Sequence, residues 1–218
     1  MKDNENKIGF LFDLDGVIID TEREYTKIWA TINKEFPTGI DNFEYIIKGT
    51  TLSKILSEYY SDENIKRGVK NRLHQLEKEM QFNYLPNVED FLKELKARNY
   101  PAALVTSSDN KKMSYLWEQL PELKDYFNYI VTGDQVKTSK PSPEGYMLAA
   151  SKIKVPCNNC AVFEDSLQGV MAGNNAGALV VGVTGTLPRQ SLAPYSHLLI
   201  DDFSQLNLDS LILKLKSR

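Results

Sequence analysis

Cysteine and histidine are scarce in this chain, which limits the metal and redox sites that it can build. There are two cysteines and two histidines in 218 residues. The cysteines, Cys157 and Cys160, form a single C-x-x-C, and His74 and His197 lie far from it in the sequence. A zinc site would need a second cysteine pair or nearby histidines. A thioredoxin-type pair opens a helix, whereas this pair precedes the apolar run 161–163. We therefore interpret both cysteines as structural thiols.

Long apolar runs and charge of one sign are also missing. The longest apolar run, residues 176–183, contains glycines and is too short to cross a bilayer. Residues 1–7 are polar and contain acids, so we expect no signal peptide and a cytoplasmic location. The formal net charge is −3, with acids and bases interspersed, so we expect no nucleic-acid partner and no membrane partner. We also expect a monomer.

What is present is a regular succession of apolar segments in a chain long enough to bury a core. Short apolar runs typical of buried strands occur at residues 8–12, 102–105, 129–131, 160–163, 178–183 and 197–200. After residue 86 these runs alternate with helical segments, the last of them at residues 203–214. This alternation predicts an α/β fold with a Rossmann-like parallel sheet and helices on both faces.

The segment between the first two predicted strands has a different pattern. It contains helical periodicity at residues 22–36, 42–47, 52–60 and 63–81 and no convincing strand. We therefore predict an all-helical cap domain, residues 20–85, inserted into a catalytic core formed by residues 1–19 and 86–218.

Two carboxylates stand where the first predicted strand ends. Asp13 and Asp15 are two residues apart, so an extended backbone would turn both toward one pocket, and Gly16 then allows a sharp turn. Open parallel sheets bind ligands beyond the carboxyl ends of their strands. Oxygen ligands at such a place favour a hard divalent cation. Alternatively, Asp13 and Asp15 could be two solvated acids in a strand-to-helix turn, because such a turn shows the same short pattern.

Other polar groups follow the later strands. Thr106 and Ser107 follow the second strand, Lys140 lies in a loop, and Glu164 and Asp165 follow the fourth strand. All should meet at one edge of the sheet. A metal, a lysine and hydroxyl or amide donors are what a transferring phosphoryl group needs. Asp13 could then attack phosphorus as a nucleophile, and Asp15 could act as the general acid and base.

These residues resemble the motifs of the haloacid dehalogenase superfamily of phosphohydrolases, in the subgroup with a helical cap after the first strand. The four motifs occur in order as DLDGV at 13–17, VTSS at 105–108, KPSP at 140–143 followed by Tyr146, and FEDSLQG at 163–169. The resemblance covers nearly the whole chain.

The resemblance implies a role for each matching residue. Asp13 would be the nucleophile and a Mg²⁺ ligand, and Asp15 the acid/base that also binds Mg²⁺ through its backbone carbonyl. Lys140 would neutralise charge on the nucleophile and the phosphoryl group. Asp165 would bind Mg²⁺, with Glu164 as a direct or water-mediated partner.

Phosphoryl and substrate contacts are implied as well. Thr106 would hydrogen-bond the phosphoryl oxygens with help from Ser107, although Thr106 could instead serve only as a helix cap. Ser107 and Ser108, and in the cap Gly49, Lys48 and Tyr25, are candidate substrate-binding residues. Each cap residue could equally be a packing or solvent-exposed residue.

The resulting hypothesis is a Mg²⁺-dependent phosphatase that hydrolyses a small phosphorylated metabolite, such as a sugar phosphate, through an aspartyl-phosphate intermediate. One alternative is a β-phosphoglucomutase-like phosphomutase. The arginine and histidine that such enzymes use in the cap fall here at Leu52 and Tyr25, although Lys54 or Lys70 could substitute as point charges. A further alternative is a non-catalytic binding protein on the same fold.

Overall fold

The computed structural model describes residues 7–218. Residues 1–6, which carry most of the expectation of no signal peptide, lie outside the described residues. Within residues 7–218, no helix is both long enough and apolar enough to cross a membrane.

The core is a parallel sheet of six strands, which confirms the predicted fold class. In chain order they are β1 (Gly9–Phe12), β2 (Ala102–Val105), β3 (Tyr129–Val131), β4 (Cys160–Glu164), β5 (Leu179–Val183) and β6 (Leu198–Ile200). Their spatial order is β3-β2-β1-β4-β5-β6, so the order reverses between β1 and β4. A ligand crevice is expected at that reversal, beyond the carboxyl ends of the two strands.

Helices separate and follow these strands. They are α1 (Glu22–Glu35), α2 (Phe43–Ile46), α3 (Leu52–Tyr59), α4 (Glu63–Lys78), α5 (Val88–Ala97), α6 (Asn110–Gln119), α7 (Glu144–Lys152), α8 (Leu167–Asn175), α9 (Arg189–Leu192) and α10 (Leu208–Lys216). Helices α1 to α4 all lie between β1 and β2, as the helical periodicity predicts. Two of them have side-chain caps, since Thr51 accepts from the amide of Lys54 and Asp62 accepts from that of Asn64.

The strands bury alternate side chains against opposite layers of helices. Phe10 and Phe12 pack into the cluster that contains residues of α5, α6 and α10. Leu11 packs into a second cluster with residues of α7 and α8. Period-two alternation in a sheet that is covered on both faces explains why β1 is apolar throughout.

The C-terminal segment differs from its prediction as one helix over residues 203–214. A short 3₁₀ turn covers Phe203–Gln205, and α10 begins afterwards at Leu208. The side chain of Asn207 accepts a hydrogen bond from the amide of Ser210 and caps α10. Asparagine at this position competes with a continuous helix because it satisfies the free amides of a new one.

Both cysteines are free thiols. Burial raises the pKa of Cys157 to about 11, so its thiol stays protonated near neutral pH. Cys160 is buried at the start of β4, and its Sγ donates to the carbonyl of Pro156 at 3.4 Å. These surroundings agree with the interpretation of both residues as structural.

Candidate active site

The loop after β1 turns sharply at the place where the strand order reverses. Gly16 has a φ of 75°, and a Cβ atom there would lie 2.0 Å from Oδ2 of Asp165. Only glycine combines this left-handed backbone with so close an approach. The turn therefore brings the loop after β1 against the loop after β4, as the sequence predicts for these two strand ends.

Lys140 joins two of the predicted site residues. Its Nζ lies 2.5 Å from Oδ1 of Asp13 and 2.5 Å from Oε1 of Glu164, and all three side chains are buried. Burial acts to lower the pKa of Lys140, but the two carboxylates outweigh it and hold the pKa above its usual value. The lysine is therefore a fixed positive charge between the ends of β1 and β4.

Glu164 is fully buried, and both of its carboxylate oxygens accept hydrogen bonds. Oε1 accepts from Lys140 and, at 2.6 Å, from the hydroxyl of Tyr146. Oε2 accepts from the hydroxyl of Ser166 at 3.1 Å and from the amide of Asp165 at 3.2 Å. A Cβ atom on Gly169 would lie 1.8 Å from Cδ of this carboxyl group, so the glycine leaves the room that Glu164 occupies.

Three carboxylates come close enough to share a cation. One oxygen from each of Asp13, Glu164 and Asp165 lies within 4.8 Å of the other two. Burial raises the pKa of Asp13 to about 7, against the opposing effect of Lys140. Burial also raises the pKa of Asp165 well above its usual value. Asp13 and Asp165 therefore need more positive charge nearby to stay ionised, and an all-oxygen donor set suits Mg²⁺. The residues present therefore fit that ion.

Asp15 has a partner that the sequence analysis did not identify, the buried lysine Lys112 of α6. Lys112 Nζ lies 2.6 Å from Oδ1 and 2.5 Å from Oδ2 of Asp15. Asp15 also accepts hydrogen bonds from Thr21 and, at 3.1 Å, from the hydroxyl of Ser108. The carboxylate is thus held in one orientation by donors from three segments of the chain.

The residues predicted to bind the phosphoryl group lie beside these acids. Thr106 is buried at the end of β2, and its Oγ1 accepts from the amide of Ser108 at 3.0 Å, as in a turn. The hydroxyl of Ser107 donates to the backbone carbonyl of Gly49 at 3.0 Å. Ser107 therefore links the loop after β2 to the loop before α3.

The helical segment closes a cavity over the sheet edge. The lining of this cavity includes Asp13, Asp15, Asp165, Ser107 and Ser108 from the strand ends. Gly49, Lys48 and Tyr25 line the same cavity from the helical side. Thr106 and Lys140 line a smaller neighbouring cavity instead.

Two of the helical-side candidates are already paired. Lys48 forms an ion pair with Glu22. The hydroxyl of Tyr25 donates to Oε1 of Glu77 at 2.7 Å, and its ring centroid lies 4.4 Å from Nζ of Lys112. Both residues therefore line the cavity with their polar groups engaged by neighbours.

Lys112 and Glu77 are not among the site residues predicted from the sequence, although the sequence contains a signal for both. Glu77 lies four residues after Leu73 and eight after Val69, on the buried stripe of α4. Lys112 lies four residues before Leu116 on the buried side of α6. A charged residue in an apolar stripe indicates a buried partner, although the periodicity does not identify it.

Comparison with known proteins gives one family. The family model described as haloacid dehalogenase-like hydrolase matches residues 10–183. A probable pseudouridine-5'-phosphatase of Drosophila melanogaster is 34% identical over 200 residues, which cover 86% of this chain and 85% of that protein. A phosphorylated carbohydrates phosphatase of Thermotoga maritima is 32% identical over 175 residues, covering 77% of this chain and 80% of that protein.

A solved structure agrees with this similarity. The crystal structure of a β-phosphoglucomutase from Clostridium difficile superposes with a TM-score of 0.79 at 26% identity, and covers 97% of this chain and 98% of that one. The prediction of an enzyme of this hydrolase family, made from four short motifs, is confirmed by matches that span most of the chain. The chain belongs to the haloacid dehalogenase-like hydrolases.

Proposed function

We propose that this protein is a Mg²⁺-dependent phosphatase that hydrolyses a small phosphorylated metabolite, most simply a sugar phosphate, through an aspartyl-phosphate intermediate. The observation that carries the proposal is the pairing of two acids with two different buried lysines. Asp13 contacts Lys140 beside the acidic cluster, and Asp15 contacts Lys112. Two carboxylates with separate surroundings can perform separate chemical steps.

In this mechanism Asp13 acts first. A carboxylate oxygen of Asp13 attacks phosphorus, and the bond from phosphorus to the leaving oxygen breaks while Asp15 supplies the proton to that oxygen. Asp15 then takes a proton from water, whose oxygen attacks the phosphoryl group, releasing phosphate and regenerating the Asp13 carboxylate. Lys140 keeps positive charge beside Asp13 throughout both steps.

The metal would be held by Asp13 and Asp165, with the backbone carbonyl of Asp15. When bound, Mg²⁺ supplies positive charge for the phosphoryl oxygens. We infer that Glu164 acts indirectly, because its two oxygens already accept hydrogen bonds from Lys140, Tyr146 and the loop after β4.

Metal removal tests this assignment. Treatment with EDTA should abolish hydrolysis of phosphate monoesters, because without the cation the buried acids repel the phosphoryl group. Excess Mg²⁺ should restore the activity. Phosphate release is measured before chelation, after it, and after Mg²⁺ is added back. Full activity in EDTA would contradict the metal assignment.

The relatives named as phosphatases support a small phosphorylated substrate, and the cavity combines apolar lining residues with the polar groups of the strand ends. We also propose that residues 20–85 form the cap and that residues 1–19 and 86–218 form the catalytic core. A monomeric state and a cytoplasmic location stay predictions.

A phosphomutase is the second candidate, since a β-phosphoglucomutase is among the similar structures. A mutase must bind a bisphosphate intermediate, and so needs a cationic group at the far end of its cavity. Leu52 and Tyr25 line the cavity here, whereas Lys54 and Lys70 are exposed and are not among its lining residues. Hydrolysis is therefore favoured, because the described lining residues of the cavity include no arginine that could hold a second phosphate.

A single assay separates the two activities. The protein is given β-glucose 1-phosphate with a catalytic amount of β-glucose 1,6-bisphosphate and Mg²⁺. We expect inorganic phosphate to be released without faster formation of glucose 6-phosphate. Glucose 6-phosphate that forms more rapidly than phosphate is released would show that the mutase is the correct function.

A further inference from the structure

Glu77 is a buried carboxylate on α4 with one oxygen unaccounted for. Its exposed fraction is 4%, and it lines the cavity between the helical segment and the sheet edge. Within residues 7–218, Oε2 of Glu77 has no hydrogen-bond partner. Such an oxygen loses the water that would solvate it, which costs free energy unless a ligand replaces the lost hydrogen bond.

The other oxygen of Glu77 is held in place. Tyr25 donates to Oε1, and the ring of the same tyrosine lies against the ammonium of Lys112, which in turn contacts Asp15. This chain of contacts connects Glu77 to the acid/base of the proposed reaction. The free oxygen is therefore on a side chain whose orientation is fixed, as a specificity group requires.

The charges of the residues that line the cavity around Glu77 indicate which chemical groups can bind there. On the helical side the cavity is lined by the acids Glu22, Glu44 and Glu77, and Lys48 is the one basic residue among its described lining residues. Lys48 is paired with Glu22. A second phosphate or a carboxylate placed there would meet like charge, which raises its free energy of binding.

We propose that Glu77 is a specificity-determining residue, whose free oxygen hydrogen-bonds a hydroxyl group on the leaving group of the substrate. The substrate class is then the phosphate monoester of an uncharged, hydroxyl-bearing alcohol, with one phosphate and no second anionic group. This inference rests on the proposed phosphatase function and names its substrate class.

The ionisation state of Glu77 agrees with a hydroxyl as its partner. Burial raises the pKa of Glu77 to about 7, with the charge of Lys112 acting in the opposite direction. Near neutral pH the carboxyl group is present in both forms. A hydroxyl can donate to the ionised form and accept from the protonated form, which neither an ammonium nor a carboxylate group can do.

The test compares substrates that share a phosphate and differ in charge elsewhere. Three matched pairs are used: glucose 6-phosphate with 6-phosphogluconate, fructose 1-phosphate with fructose 1,6-bisphosphate, and glycerol 3-phosphate with 3-phosphoglycerate. p-Nitrophenyl phosphate has no hydroxyl on its leaving group and reports on the catalytic centre alone. Values of kcat/KM are measured with Mg²⁺ for the wild type, Glu77→Gln, Tyr25→Phe and the control Glu79→Gln, whose residue is exposed just after α4.

We expect the wild type to prefer the uncharged member of at least one pair. Glu77→Gln should lower kcat/KM for that member by about fivefold to tenfold, since the amide replaces a hydrogen bond to a charged group by one between neutral groups. It should also reduce the ratio of kcat/KM between the uncharged and the anionic member, and lower kcat/KM for p-nitrophenyl phosphate by a smaller factor than for the uncharged member. Tyr25→Phe should act in the same direction more weakly, and Glu79→Gln should match the wild type.

Two results would overturn the inference, and they differ in what else they overturn. In the first, the wild type hydrolyses phosphate monoesters but prefers the anionic members, or Glu77→Gln lowers kcat/KM by the same factor for every substrate. Only the role of Glu77 is then wrong. If the wild type with Mg²⁺ hydrolyses none of these esters, including p-nitrophenyl phosphate, the proposed function fails together with it.

Discussion

Replacing Asp13 with asparagine is expected to abolish turnover. The amide has nearly the same shape as the carboxylate, but it is not a nucleophile toward phosphorus. Lys140 keeps its contact with Glu164, so the buried lysine retains a negative partner and the fold should survive. The measurement is phosphate release together with trapping of the phosphorylated protein after acid quenching. Both signals should fall to background in Asp13→Asn.

Asp20→Asn is the matched control. Asp20 lies in the same loop but is exposed, and its backbone amide bonds the carbonyl of Asn83. This control should retain wild-type activity and phosphorylation. A phosphorylated Asp13→Asn protein, or one with substantial turnover, would show that another residue is the nucleophile.

Asp15→Asn is expected to have the second-largest effect. Substrate should still bind, because Asp13, Lys140 and the acidic cluster stay in place. Loss of the general acid and base should lower kcat by about 10²- to 10⁴-fold. The loss should be greatest for esters with poor leaving groups, since these depend most on protonation of the departing oxygen. Steady-state kinetics on an alkyl phosphate and on p-nitrophenyl phosphate measure this difference.

The same substitution changes the surroundings of a buried cation. Lys112 has an exposed side-chain fraction of 1% and would lose its charged partner in Asp15→Asn. Breaking such a pair destabilises a protein by about 3–5 kcal/mol. Thermal melting must therefore accompany the kinetics. Wild-type kcat in a folded Asp15→Asn protein would refute the role of Asp15.

Much of the site could be predicted because it follows from local features of the sequence. Asp13, Glu164 and Asp165 stand directly at strand ends, and parallel strands bring those ends to one edge whatever the remaining packing. The order of the strands, with β1 beside β4, then places these acids together. A short motif and one topological rule were sufficient for this part.

Two side-chain contacts near these acids, between Lys112 and Asp15 and between Tyr25 and Glu77, could not be predicted in the same way. Lys112 and Asp15 are 97 positions apart, and Tyr25 and Glu77 are 52 positions apart. Each pair depends on how one helix packs against another element, which local propensity and periodicity do not specify. The break before α10 has a different cause: the apolar pattern predicts one helix over residues 203–214, whereas Asn207 caps a separate helix that begins at Leu208.

The hydrogen bond between Ser107 and Gly49 has a consequence for substitutions in the loop before α3. The acceptor is a backbone carbonyl, and a side chain at Gly49 would collide with Ser166, 2.8 Å from the expected Cβ position. This contact between the helical segment and the sheet edge thus uses a main-chain atom of the helical segment. We therefore expect that substitutions of the side chains that flank Gly49 leave this hydrogen bond in place, because its acceptor belongs to the main chain.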